Sequence, residues 1–150
     1  MSTTVLMADD DSDDYLLIAE ALSSTASVSE VRRVADGAEL LDYLTHKGAY
    51  HSGVAGEDPA PRPSLILLDL SMPDIDGREA LRTIKADIDL RDIPVVVLTT
   101  SDADDDVRGA YELGASGYIT KPTTISRLEE VLDALTRYWF GTVELPADRT

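Results

Sequence analysis

The apolar positions of this chain fall into two rhythms. Nearly unbroken aliphatic runs occupy residues 3–8, Leu65–Leu68 and residues 94–98, each about the length of a strand buried on both faces. Glu30–Val34 and Gly117–Thr120 read as two further short strands. Between them, apolar residues recur every three or four positions, the period of a helix with one buried side. Tyr15, Ile18, Ala19 and Leu22 mark the first such helix, capped by Ser12 or Asp13 and closed by Ser23-Ser24-Thr25. Residues 38–44 form the second, with Leu40, Leu41 and Leu44 inward, and Asp36-Gly37 makes a turn before it. Residues 79–87 form the third helix, and Met72-Pro73 and Asp76-Gly77 turn the chain ahead of it. Residues 102–113 form an acidic fourth helix, with Val107, Ala110 and Leu113 apolar and Gly114 as its stop. Ile125, Leu128, Val131, Leu132 and Leu135 mark the last, followed by Tyr138-Trp139-Phe140 and a polar tail over 141–150. Five strands alternating with five helices predict an α/β fold with a doubly wound parallel sheet.

Residues 46–63 break the alternation with three Gly and three Pro. The strands on either side need each other, so this stretch is read as a long loop inside one domain spanning 1–150, with a core of about 3–140. His46 and His51 are read as exposed loop histidines.

Hydrophobic residues make up 43% of the 150, which fits neither a disordered nor a membrane-spanning chain. The start Met1-Ser2-Thr3-Thr4 lacks the basic residues of a signal peptide, and there is no Cys for a disulfide or a thiolate metal site. A cytoplasmic protein is expected. The formal charge of −16, with 13 basic residues of which only Lys47, Lys85 and Lys121 are Lys, argues against nucleic acid and anionic membrane as partners. A solvated acidic surface explains the excess. Adaptation to a salty cytoplasm is the second reading, and equal thermal stability in low and molar KCl would dismiss it.

The strand ends change the picture more. Asp9-Asp10, Asp69, Thr99 and Lys121 each follow or close a strand, and parallel strands bring their carboxyl ends to one rim, where ligands of such sheets bind. Carboxylates gathered there repel one another and raise each other's pKa unless a cation sits among them. An oxygen-only donor set points to a hard cation, Mg²⁺ before Ca²⁺, and Mg²⁺ of this kind usually accompanies a phosphoryl group. The residues therefore suggest phosphoryl transfer onto Asp69 as nucleophile. Mg²⁺ and the Lys121 ammonium would offset charge on the phosphoryl oxygens, and the Thr99 hydroxyl would donate to one of them.

Ala8-Asp9-Asp10-Asp11, Leu68-Asp69-Leu70-Ser71-Met72-Pro73 with Asp76-Gly77, Leu98-Thr99-Thr100-Ser101 and Gly117-Tyr118-Ile119-Thr120-Lys121-Pro122 together resemble the response-regulator receiver domains of two-component systems. The resemblance implies a flavodoxin-like fold and a phosphoacceptor with no separate enzymatic turnover. It also implies a sensor histidine kinase as the phosphoryl source. Position by position, Asp69 would be the phosphoacceptor and Asp10 the direct Mg²⁺ ligand. Asp9 would act mainly through water, the Ser71 backbone carbonyl would complete the metal site, and Thr99 and Lys121 would contact the phosphoryl group. Tyr118 would be the switch that turns inward when Thr99 is drawn toward the phosphate. The bland reading of Tyr118 is an edge-strand residue packed on its neighbour.

The loop 46–63, the runs Pro94 to Ser101 and Tyr118 to Pro122, and the ending Tyr138 to Pro146 further resemble stand-alone receivers serving bacterial phytochrome kinases. Such a protein would signal to a downstream protein or pass its phosphate on, and would pair through its fourth and fifth helices and fifth strand. Three other readings compete with this one. Asp9, Asp11, Asp13 and Glu20 match calcium-loop positions, but Asp14 stands where the loop needs Gly and no helix precedes Asp9. A haloacid-dehalogenase phosphatase would need an Asp where Ser71 stands. The remaining alternative is a receiver-like interaction module independent of phosphorylation.

Overall fold

A computed structural model describes residues 3–50, 60–72 and 76–146. Five strands, β1 (Thr4–Ala8), β2 (Glu30–Val34), β3 (Leu65–Leu68), β4 (Val95–Thr99) and β5 (Gly117–Thr120), form one sheet. Its order is β2-β1-β3-β4-β5 and every pairing is parallel. The helices are α1 (Ser12–Ser23), α2 (Gly37–Thr45), α3 (Gly77–Ala86), α4 (Asp104–Glu112) and α5 (Ile125–Gly141), with a 3₁₀ turn at Gly48–Tyr50. This is the flavodoxin-like arrangement, whose strand order reverses direction between β1 and β3.

The period-two geometry of strands sorts their side chains into two cores. Leu6, Ala8, Ile66, Leu68, Val95 and Val97 face α2, α3 and α4, where Leu40, Tyr43, Leu81 and Ile84 meet them. Val5, Met7, Leu65, Leu67, Val96 and Leu98 face the other way, against Ile18 and Leu22 of α1 and Leu128, Leu132 and Leu135 of α5. Burial on both faces is why β1, β3 and β4 read as continuous aliphatic runs.

Several local expectations are corrected. Asp11, not Ser12 or Asp13, caps α1, its carboxylate accepting from the Asp13 and Asp14 amides. Asp36 and Asp76 are likewise helix caps rather than turn residues, and Gly37 and Gly77 open their helices. Each carboxylate supplies an acceptor to amides that the first helical turn leaves unpaired. Tyr138, Trp139 and Phe140 do not follow the last helix but lie within it. Ile125, expected inward, is exposed at the start of α5. Tyr43 is buried, with its hydroxyl donating to the Pro61 carbonyl. The tail folds back: Thr142 and Val143 amides both bond the Tyr138 carbonyl, and Val143 and Leu145 line a cavity of about 480 Å³ with Trp139 and Phe140. Trp139 and Phe140 thus cover the second core.

Of the loop 46–63, the ends are described. His46 is exposed with a left-handed backbone (φ 55°), and its Nε2 lies 2.8 Å from the Ala60 carbonyl. The Tyr50 hydroxyl donates to Glu39, which together with burial raises its pKa to about 12, burial being the larger cause. His51, the Met72-Pro73 turn at Pro73, and the last residues of the tail lie outside the described residues.

Candidate functional site

Strand ends and helix starts assemble the rim. The Asp69 amide bonds the Ala8 carbonyl, and the Lys121 amide bonds the Thr99 carbonyl, so backbone pairing extends one residue past the sheet and fixes both chains. Gly77 lets α3 begin directly against the Asp69 backbone. A Cβ there would fall 2.5 Å from the Asp69 carbonyl oxygen and 2.7 Å from Leu70 Cα, which only glycine avoids.

Asp69, 8% exposed, is held on all sides. Its Oδ1 accepts from the Thr99 hydroxyl at 3.0 Å and from the Ser71 amide at 3.0 Å. Its Oδ2 accepts from Lys121 Nζ at 3.1 Å. The same ammonium donates to Asp9 Oδ2 at 2.9 Å and to Asp14 Oδ2 at 2.8 Å. Asp9 is fully buried and also accepts from the Asp11 amide at 2.9 Å. Asp10 is exposed at the mouth. Asp9, Asp10, Asp69, Thr99 and Lys121 therefore meet at one rim, although far apart in sequence.

Burial pushes the Asp9 carboxyl above its ordinary range. The Asp11 amide and Lys121 pull it back in part, and repulsion from Asp69 adds only the smallest contribution. Desolvation thus outweighs repulsion between the carboxylates, which have the Lys121 ammonium among them. For Lys121, burial disfavours the charge, but its bonds to Asp14 and Asp9 and the attraction of Asp69 and Asp9 outweigh it and raise its pKa.

Asp9, Asp10 and Asp69 each offer a carboxylate oxygen within 4.8 Å of the others. Three hard oxygen donors this close fit a divalent cation, which would relieve the cost of burying Asp9 as an anion.

Beside this cluster the structure places contacts that the sequence reading missed. Arg33 of β2 donates from Nε to the Asp9 carbonyl and from Nη2 to the Asp10 carbonyl, both at 3.2 Å, and lies over the Tyr15 ring. Ser101 Oγ donates to Asp106 Oδ2, and Arg78 Nη2 donates to Asp106 Oδ1 at 2.6 Å. Those two partners hold the Asp106 carboxyl below its ordinary range. Tyr118, half-buried against the first core, donates from its hydroxyl to the Ser101 carbonyl at 2.8 Å. The available signals were weak. Asp14 lies three residues past the Asp11 cap, hence in the first helical turn facing the strand ends, and Arg33 is a cation on a strand beside β1.

A five-stranded parallel sheet thus carries a rim of carboxylates, a hydroxyl and an ammonium at the carboxyl ends of its strands. Residues 5–133 match the response regulator receiver domain family, and the chain belongs to it. It is 39% identical over 143 residues to the response regulator Rcp1 of Synechocystis sp., covering 95% of this chain and 92% of Rcp1. It is 36% identical over 138 residues to the probable methanogenesis regulatory protein FilR2 of Methanothrix harundinacea, covering 91% and 83%. Among solved structures, the Mn²⁺-bound form of Rcp1 aligns with a TM-score of 0.86 at 39% identity over 97% of this chain and 99% of that one. The phosphorylated cyanobacterial phytochrome response regulator RcpA aligns with 0.88 at 39% identity over 98% and 100%. This chain is thus a receiver domain related to phytochrome response regulators. Among the described residues no helix is long and apolar enough to cross a membrane.

Proposed function

We propose that this protein is a stand-alone response regulator whose Asp69 accepts a phosphoryl group from a sensor histidine kinase of the phytochrome type. The observation that carries this reading is the rim itself, where one ammonium bonds both Asp9 and Asp69 while Thr99 donates to Asp69. An Asp69 oxygen would attack phosphorus as the P–N bond of a phosphohistidine breaks, and the imidazole would leave. Lys121 would pass its Asp69 bond to a phosphoryl oxygen, and the Thr99 hydroxyl would donate to another. Mg²⁺, held by Asp10 directly, by Asp9 mainly through water, by Asp69 and by the Ser71 carbonyl, would supply the remaining positive charge. These residues position and neutralise; no separate turnover activity is expected of them.

Output is assigned to Thr99 and Tyr118. When Thr99 moves toward the phosphoryl group, the chain to Ser101 moves with it, and Tyr118 loses the carbonyl its hydroxyl bonds. The surface of α4, β5 and α5 would then change for a downstream protein, a phosphotransfer partner or a second copy of the chain. A cytoplasmic location follows from this role. The similarity to Rcp1 and to the phytochrome response regulator RcpA supports the phytochrome association.

Incubation with acetyl phosphate and Mg²⁺, followed by intact mass measurement, tests the reading. One phosphoryl adduct is expected on the natural chain and none on Asp69→Ala. An unmodified natural chain would instead favour an interaction module independent of phosphorylation.

A further inference from the structure

We propose that Asp14 is a positioning residue for Lys121, keeping its ammonium aimed at Asp69 while the other partners of that ammonium change during phosphoryl transfer. The proposal rests on the reading of Asp69 as phosphoacceptor. An ammonium has three protons to donate, and the three acceptors of Lys121 Nζ are Asp14 Oδ2 at 2.8 Å, Asp9 Oδ2 at 2.9 Å and Asp69 Oδ2 at 3.1 Å. Two of these cannot serve throughout the reaction. Asp69 is the acceptor and must exchange its bond with Lys121 for one to phosphorus. Asp9 belongs to the carboxylate cluster that fits a cation, which would draw on its oxygens. Asp14 lies outside that cluster and makes the shortest of the three bonds.

The position of Asp14 suits such an anchor. It sits in the first turn of α1, where its own amide is bonded by the Asp11 cap, so the backbone that carries it is fixed. A carboxylate in a first helical turn is also favoured by the helix dipole. Its side chain is 37% exposed and that of Lys121 only 10%, so the anchor reaches in from the edge to a cation that is itself enclosed. Without it, the ammonium would have no acceptor that stays the same from the start of phosphoryl transfer to its end.

The test compares phosphorylation rates with acetyl phosphate at saturating Mg²⁺ for the natural chain, Asp14→Asn, Asp14→Glu and Glu20→Gln. A charge-assisted hydrogen bond at a partly exposed site leads us to expect that Asp14→Asn lowers the saturating rate about tenfold. The Mg²⁺ concentration giving half the maximal rate should stay within about twofold, since Asp14 does not join the cation cluster. Asp14→Glu, which restores the charge on a flexible stem, should recover most of the rate. Glu20→Gln removes a charge from an exposed position on the same helix and should leave it unchanged. An Asp14→Asn rate equal to or above that of the natural chain overturns the proposal while leaving Asp69 as acceptor. A natural chain that takes no phosphoryl group overturns the acceptor reading and this proposal together.

Discussion

Lys121 and Arg78 each hold acidic side chains at the same end of the sheet, yet their surroundings differ. The Lys121 side chain is 10% exposed and its partners Asp9 and Asp69 are 0% and 11% exposed. Arg78 and Asp106 are 40% and 30% exposed, on the first turns of α3 and α4. In the first network only Asp14, 37% exposed, is open to water, so the enclosed charges depend on one another and losing the ammonium strands Asp9 and Asp69. In the second, solvent competes for every group, and an ion pair of that kind contributes little to stability. In the proposed function, the group that would stabilise charge on a phosphoryl oxygen sits in the enclosed network, and the contact that would yield with the Ser101 loop sits in the exposed one.

The largest effect should come from Lys121→Met. It leaves Asp9 and Asp69 buried without their cation, so we expect a loss of about 3 kcal/mol in urea unfolding and a fall in phosphorylation rate of more than about a hundredfold. Mg²⁺ should recover part of that stability. Equal unfolding curves with and without the substitution would erase the distinction between the two networks.

Acid separates them by sign. The Asp9 carboxyl is raised above its ordinary 3.8 by burial, so the folded state binds this proton more tightly than the unfolded chain. Its contribution therefore becomes less favourable as pH rises from below 3.8 through the higher folded value. Mg²⁺ prefers the carboxylate, so the gain in melting temperature on adding Mg²⁺ should grow between about pH 4 and pH 7. The Asp106 carboxyl is lowered by Ser101 and Arg78, so its contribution is present above 3.8 and lost as pH falls through the lower folded value. Asp9→Asn should therefore alter the pH dependence of melting above pH 3.8 and Asp106→Asn below it, with opposite signs.

The smallest effect is expected from Asp106→Asn at neutral pH. Its melting temperature should fall by no more than about 3 °C, with a phosphorylation rate within about twofold of the natural chain. A loss as large as that of Lys121→Met would show that the exposed network belongs to the chemistry.

The two networks also differ in how far the sequence announces them. The five strands and the meeting of Asp9, Asp69, Thr99 and Lys121 were legible, because buried strands carry an unbroken aliphatic signature and parallel strands send their ends to one rim; the order of the strands in the sheet was not. Caps were not. Asp11, Asp36 and Asp76 could each be turn or cap, and only the direction of the following amides decides. Tyr138 to Phe140 were placed outside α5 because aromatic residues obscure the 3–4 spacing that ends at Leu135. Asp14, Asp106, Arg78 and Arg33 were missed for another reason. A charged residue on an amphipathic surface looks the same whether it meets solvent or a partner, and packing of α1, α3 and α4 makes the choice.

In the proposed function, Asp69 accepts a phosphoryl group only with a divalent cation beside Lys121. The most direct test of this requirement is the yield of Asp69 adduct from acetyl phosphate, by intact mass, with Mg²⁺, with a chelator, and with Mg²⁺ for Asp10→Asn. One adduct is expected in the first case and almost none in the other two. Equal adduct in the presence of the chelator would contradict that requirement.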